Sequence, residues 1–390
     1  MGALAVTQTI GYGVLYYAFS VFLTPMQHDL HAGGTEIAAA LTIAVLVTAL
    51  AAPWVGRRLD RHGGRGVMTT GSVLGTLAVL AWSRAETLPQ LYAVFVAIGL
   101  ASAMVLYEPA FAVVVAWFGS RRRDTALLVL TIVAGFASSI FLPLTGLLVE
   151  RYGWRGALVV LALVYGIAAV PLHGLVLRRR VRAHEAPRQA DQAGVVRAAR
   201  REPSFWLLAT AFTANSGVIA VIAVHLVAYL VRLGHAPAFA ATVAGLLGVL
   251  SVTGRLITSA LRRRGPTALI TAGVFVLQGV AVVSLPLLGG SVTGAVGCVL
   301  LFGLGFGVGT IARPALLADR YGTEVYATLA GNVALPATVA KAAAPLGAAA
   351  IATKAGYTPV MIASAVCCLL AGACLVAYQR GAHKVRGPSN

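Results

Sequence analysis

Acidic residues are scarce in this chain: 12 Asp and Glu stand against 30 Lys and Arg. Charge of either sign is scarce as well, at 11% of residues, where soluble chains carry about 25%. That composition excludes a water-soluble globule of 390 residues. Cysteine is limited to Cys298, Cys367, Cys368 and Cys374, all within apolar runs and none spaced from histidine as a metal ligand. Neither a disulfide framework nor a zinc site is therefore expected. The chain also lacks an HExxH pattern, a nucleophile motif, paired acids on one helix and a phosphate-cradling P-loop. These absences argue against an enzyme and against an ATP-driven pump, and no metal or cofactor is expected. No cleavable leader is visible, because the first apolar run begins near Gly2 and further runs follow it.

What the chain has in abundance is apolar surface. Apolar residues make up 59% of it, and the mean hydropathy is +0.86. The runs are about 20 residues each, the length that crosses ~30 Å of hydrocarbon at ~1.5 Å per residue. The pattern predicts an all-α membrane protein with twelve spans, at 2–24, 35–55, 66–83, 89–117, 125–149, 156–177, 205–231, 236–261, 267–288, 291–317, 325–353 and 356–378. The polar stretch 178–204, rich in arginine and containing Pro187 and Pro203, reads as a cytoplasmic linker. It divides the chain into a six-helix bundle at 1–177 and a second at 205–390 with a short cytoplasmic tail.

A net charge of +18 would suit a nucleic-acid binder if it were clustered on one soluble face. Its distribution gives a different account. With the N-terminus assigned to the cytoplasm, one face takes Arg57, Arg58, Arg61, Arg65, Arg121 to Arg123, the arginines of the linker, Arg262 to Arg264, Arg320, Arg380, Lys384 and Arg386. The other face takes only Arg84, Arg151, Arg155, Arg232 and Lys354. Such asymmetry fixes the orientation, with both termini expected in the cytoplasm; the expected location is the cell's inner (plasma) membrane. The basic loops then meet the lipid bilayer, in places anionic lipid, and no nucleic acid.

The stretch Gly56-Arg57-Arg58-Leu59-Asp60-Arg61-His62-Gly63-Gly64-Arg65 reads as a tight basic turn between the second and third spans. Its arginines follow from topology alone. Asp60 and the flanking glycines do not: Gly56 allows a close approach to a neighbouring helix end, Gly63 and Gly64 permit backbone angles denied to side chains, and Asp60 can pair with a guanidinium or face a helix N-terminus. The pattern G-x-x-x-D-R-x-G-x-R resembles the loop signature of the major facilitator superfamily. That resemblance covers essentially the whole chain, and it implies twelve helices in two pseudo-symmetric bundles. It further implies that Gly56, Asp60, Arg61, Gly63 and Arg65 gate the cytoplasmic side. Internal repetition agrees with it. Ser259–Gly265 is a degraded partner of the turn, without its acid. Pro143-Leu144-Thr145-Gly146 ending at Gly153-Trp154 is matched by Pro345-Leu346-Gly347 ending at Gly356-Tyr357. Alternating Gly303, Gly305, Gly307 and Gly309 are read as a helix-packing feature, since small residues let membrane helices approach. Gly135 to Gly146 is read as packing and bending of the fifth span, with a loose likeness to an antiporter pattern.

An ionisable group inside a membrane costs ~2.5–3.5 kcal/mol on insertion scales and is a functional candidate by default. Arg255 lies seven residues inside the eighth span, too deep for easy snorkelling, and its planar fork fits a carboxylate. His225 in the seventh span can contact substrate, carry a proton or simply bond a neighbouring carbonyl. Lys341 stands near the middle of the eleventh span and needs an anion, from protein or substrate. Glu108 in Tyr107-Glu108-Pro109 is either a proton carrier or a counter-ion. Arg313 reads as a structural partner of Asp319 or Glu324. Cations outnumber acids in the second half, which favours an anionic solute.

A narrower resemblance follows from Tyr16-Tyr17-Ala18-Phe19-Ser20-Val21-Phe22-Leu23-Thr24-Pro25, from Thr253-Gly254-Arg255 and from Ala340-Lys341-Ala342. These are similar to the bacterial monocarboxylate transporter and oxalate/formate antiporter group. The resemblance implies that Arg255 binds a substrate carboxylate, with Lys341, His225 and Tyr107 as further contacts. Ser251 stands where some relatives carry Asn, and the first span lacks the acidic motif of the animal proteins. The expectation is a monomeric secondary transporter of a small organic mono- or dicarboxylate, driven by protons or by exchange. Glu108 and His225 are its proton-coupling candidates. The alternative is a proton-antiport drug or metabolite exporter with Glu108 as coupling acid.

Overall fold

A computed structural model describes residues 1–177, 189–262 and 264–385. Arg178, Arg179, Arg180, Arg182, Arg188, Arg263 and Arg386, which entered the charge argument, lie outside the described residues. Every regular element among the described residues is helical. Lipid offers no partner to a backbone N–H or C=O, so a spanning segment must satisfy these groups within itself. The spans are Gly2–Asp29, Gly34–His62, Gly64–Trp82, Leu88–Trp117, 120–152, 154–176, Pro203–Arg232, Pro237–Leu261, Thr267–Leu288, Val292–Tyr321, Tyr326–Ala355 and Tyr357–Val385. The fifth and sixth run together without a loop, separated only at Gly153, where φ is 68°. Within the stretch expected as linker, Gln189–Arg201 forms a short helix ending in Arg200 and Arg201.

The internal repeat is visible in the backbone. Of the residues with left-handed φ, His31 and Gly153 in the first half are matched at the same spacing by Gly234 and Gly356 in the second, whereas Gly63 and Gly322 have no such counterpart. Both Gly153 and Gly356 are followed by an aromatic residue that begins the next span.

Two compact units result: Met1–Ala193 with Tyr321–Leu335, and Gly194–Arg320 with Pro336–Asn390. In the first, Trp82 is wholly buried, with ring centroids 4.8 Å from Phe95 and 5.3 Å from Phe22 in edge-on geometry. Such pairs add about 0.5–1.5 kcal/mol each beyond area burial. In the second, the ninth and twelfth spans run antiparallel in close contact. Gly279 faces Ala365 and Cys368, and Gly372 faces Ala272 and Val276. Lipid tails are as apolar as leucine, so this close approach of backbones carries much of the helix association.

One feature of the expected turn differs. Gly56 to His62 is not a turn but the last two turns of the second span, which runs to His62 and stops at Gly63, with φ 76°. Charge alone does not end a helix; Gly63 does, by adopting an angle that a side chain disfavours.

Candidate functional site

The helical continuation puts Ala52, Gly56 and Asp60 on one face, four residues apart. That face meets the start of the eleventh span, which belongs to the first unit. A Cβ on Gly56 would collide with the carbonyl of Ala327, and one on Gly331 with the carbonyl of Ala52. Asp60 is 7% exposed. Its Oδ1 accepts from the Ala327 N–H at 3.0 Å and its Oδ2 from the Thr328 N–H at 2.7 Å. These are first-turn amides with no partner inside their own helix, and the positive end of the helix dipole favours the carboxylate. The Arg61 side chain is exposed, while Arg65 is partly buried near the start of the third span.

The fourth span is broken at Leu106, which has ψ −154°. Sequence explains the break. Pro109 has no N–H to give the carbonyl of Val105, four residues earlier. Gln8, wholly buried on the first span, supplies the missing donor: its Nε2 reaches the Val105 oxygen at 2.6 Å. Tyr107 opens the second half of the span. Its ring lies 4.6 Å from Tyr12 and stacks on Phe111 at 5.0 Å. Tyr12 contacts Tyr16 and Tyr17, which ride on a π-helical turn over Gly13–Tyr17. Such turns are frequent at functional sites. Glu108 follows Tyr107 and is partly buried.

In the second unit the tenth span is broken between Phe306 and Gly309. The amide of Ile311 turns to Val308, and the Gly307 carbonyl accepts instead from the Thr310 N–H at 3.3 Å and from Thr310 Oγ1 at 2.7 Å. Arg255 is a further donor to it: Nε lies 3.2 Å from the Gly307 oxygen, and Arg255 is 8% exposed. Ser251, one turn before Arg255, also faces Gly307. Asn215 Nδ2 donates to Gln278 Oε1 at 2.9 Å, and Gln278 Nε2 donates to the Phe302 carbonyl at 3.2 Å. The guanidinium is therefore anchored to backbone at the break through Nε.

His225 bridges three spans. Nε2 lies 2.9 Å from the carbonyl oxygen of Pro345 and Nδ1 lies 3.4 Å from the Tyr357 hydroxyl. A neutral ring with hydrogen on Nε2 donates to Pro345 and accepts from Tyr357. Lys341 is one turn before Pro345 on the same helix, and its side chain is exposed. His225 thus contacts the turn of the eleventh span next to the one that carries Lys341, whereas Arg255 is organised around the tenth span. Arg313 is partly buried in the second half of that span. Replacing His225 with phenylalanine is expected to cost about 1–2 kcal/mol, because it strands buried polar groups. Thermal unfolding of the purified protein should fall by a few degrees, and His225→Gln should recover most of the loss. Unchanged unfolding for His225→Phe would show that the bridge is idle.

Several residues in these arrangements escaped the sequence reading. His173 is 1% exposed, with Nδ1 2.7 Å from Ser72 Oγ and Nε2 3.0 Å from Thr7 Oγ1, joining the first, third and sixth spans. Gln8, Asn215 and Gln278 are neutral, and charge in an apolar run does not single out a neutral side chain. The available signal was an uncharged polar side chain within an otherwise apolar run, paired in one case with a proline four residues after an orphaned carbonyl.

Ten helices long and apolar enough to cross a membrane among the described residues, one of them divided at Gly153, and breaks with polar side chains in the fourth and tenth spans, define a polytopic membrane protein of the transporter type. The chain belongs to the Major Facilitator Superfamily, whose pattern matches residues 5–345. It is a transporter for a small-molecule substrate and not an enzyme. It is 28% identical over 329 residues to monocarboxylate transporter 13 of Bos taurus, covering 82% of this chain and 74% of that protein. It is 31% identical to an MFS-type efflux pump of Mycolicibacterium smegmatis, covering 80% of this chain and 73% of that protein. In fold it is similar to the E. coli fucose:proton symporter, with a TM-score of 0.78 at 14% identity, covering 96% of this chain and 98% of that one.

Proposed function

We propose that this chain is a secondary active transporter of a small organic mono- or dicarboxylate, working by alternating access in the inner membrane. The observation that carries the reading is Arg255, a buried fixed cation in an apolar helix, placed with its Nε on the Gly307 carbonyl at the break of the tenth span. A guanidinium is a planar fork of donors whose geometry matches a carboxylate. The similarity to a monocarboxylate transporter over most of the chain supports the same solute class. Lys341, His225 and Tyr107 are the further contacts in this reading. Coupling is to protons, through Glu108 or His225, or to a counter-transported anion. The two halves, 1–177 and 205–390, act as the moving bodies, with 178–204 joining them and both termini in the cytoplasm. Asp60 and its neighbours gate the cytoplasmic side, and the unit of function is the monomer.

Uptake of a radiolabelled carboxylate panel into proteoliposomes tests the central claim. Arg255→Ala is expected to lower uptake at least tenfold, the equivalent of one charge-assisted hydrogen bond. Arg255→Lys should recover part of it, since charge survives and the bidentate fork does not. Full uptake by Arg255→Ala would end the carboxylate reading. The likeness to an efflux pump favours a second reading, proton-driven export of an apolar or cationic compound with Glu108 as coupling acid. Resistance or efflux that depends on Glu108, with no carboxylate-induced thermal shift, would select it.

A further inference from the structure

We propose that the groove between the ninth and twelfth spans is a binding site for one anionic phospholipid. The inference is independent of which solute is carried. The groove has a volume of about 620 Å³ and is lined by Val276, Leu369, Gly372, Ala373, Val376, Ala377, Arg380 and Gly381. Its depth comes from composition. Ala373, Ala377 and Gly381 follow one another at four-residue spacing on one face of the twelfth span, and Gly372 lets Val276 close in beside them. Val276 and Leu369 are 39% and 48% exposed, so the groove opens outward from the helix pair.

Register sets its extent. Gly279 faces Cys368 and Gly372 faces Val276, so the antiparallel pair places Arg380 level with the first turn of the ninth span at Thr267. From Leu369 to Gly381 the twelfth helix rises about 18 Å, close to the ~15 Å of one hydrocarbon leaflet. Among the described residues lining the groove, the deep ones are apolar and the charged one, Arg380, stands at the headgroup end. An acyl chain fits the first and a phosphate the second. Arg264, exposed just before the ninth span, adds a cation at the same end of the helix pair.

Charge selects among occupants. A second copy seated here about an axis normal to the bilayer would set Arg380 against Arg380, because such an interface is self-complementary. A zwitterionic lipid fills the apolar part equally well but gains nothing net from the arginine. An anionic headgroup gains about fivefold in binding for one basic side chain near the surface.

The test uses the full-length protein in mild detergent, titrated with dioleoyl phosphatidylglycerol or dioleoyl phosphatidylcholine, with bound lipid counted by native mass spectrometry. Wild type is expected to retain one phosphatidylglycerol about fivefold more tightly than phosphatidylcholine. Arg380→Gln should abolish that preference and Arg380→Lys should keep it. The double change Ala373→Leu with Ala377→Leu should fill the groove and reduce retention of both lipids; gel filtration checks that this variant stays folded. Equal retention of the two lipids by wild type would overturn the proposal. So would a preference unchanged by Arg380→Gln, or a dimer cross-linked through Ala377→Cys.

Discussion

Asp60→Ala is expected to raise the reactivity of a cysteine placed at Thr328 more than a hundredfold. Asp60 holds two amides, Ala327 N–H and Thr328 N–H, at 3.0 and 2.7 Å. Each is a hydrogen bond to an ionised group, worth about 1.5–3 kcal/mol, so the pair is worth ~3 kcal/mol or more. Thr328 is 5% exposed and reaches a maleimide only when the second and eleventh helices part. If parting is fast compared with labelling, the rate follows the population of the open form, and ~3 kcal/mol is more than a hundredfold in that population. Asp60→Asn keeps one acceptor oxygen but turns an amide donor toward a donor, so its effect should fall between. Equal labelling of the Asp60→Ala and parent proteins would mean that the carboxylate does not hold this contact. Carboxylate uptake should fall in the same order, because the proposed gate depends on the same two bonds.

Much of this architecture was legible because the bilayer leaves so few choices. A helix must cross some 30 Å and must be apolar to do so, and the observed spans follow the hydropathy runs within a few residues except where charge misled. The second span is the instructive exception. Its arginines and Asp60 suggested a turn, yet nothing from Gly56 to His62 breaks a helix, and the chain coils on until Gly63. Arg255 was legible as a charge in an apolar run. Its partner was not, because the Gly307 carbonyl becomes available only through a break in the tenth span, and a backbone group has no letter in the sequence. The same holds for Gln8: it answers the orphaned carbonyl of Val105, and only the missing N–H of Pro109 hints that such a carbonyl exists. The alternating glycines of the tenth span were read as packing, and Gly303 and Gly305 do lie against Leu250 and Gln278. What the pattern concealed was that Gly307, in the same series, serves the arginine.

Gly254→Val should abolish carboxylate uptake while leaving Arg255 in place, the largest effect expected of any neutral substitution in the second unit. A Cβ at Gly254 would fall inside the carbonyl of Leu304 on the tenth span, with the Leu304 Cα at 3.0 Å. The obstacle is backbone within a helix, so no rotamer change relieves it and the eighth and tenth helices must separate. The bond from Arg255 to Gly307, adjacent to this contact, is already 3.2 Å long. A separation of about 1 Å carries it beyond hydrogen-bonding reach. Overpacking costs about 1–3 kcal/mol, and the lost charge-assisted bond about 1.5–3 kcal/mol more. Together they predict a loss of a hundredfold or greater, with thermal unfolding several degrees lower. Gly248, two turns earlier on the same helix, supplies the control. A Cβ there meets nothing within 4 Å, so Gly248→Ala should transport normally and gain slightly in helix propensity. If Gly254→Val carried solute as well as Gly248→Ala, the closeness of the two helices would have no bearing on how Arg255 is held, and the Gly-Arg pair would be two unrelated residues.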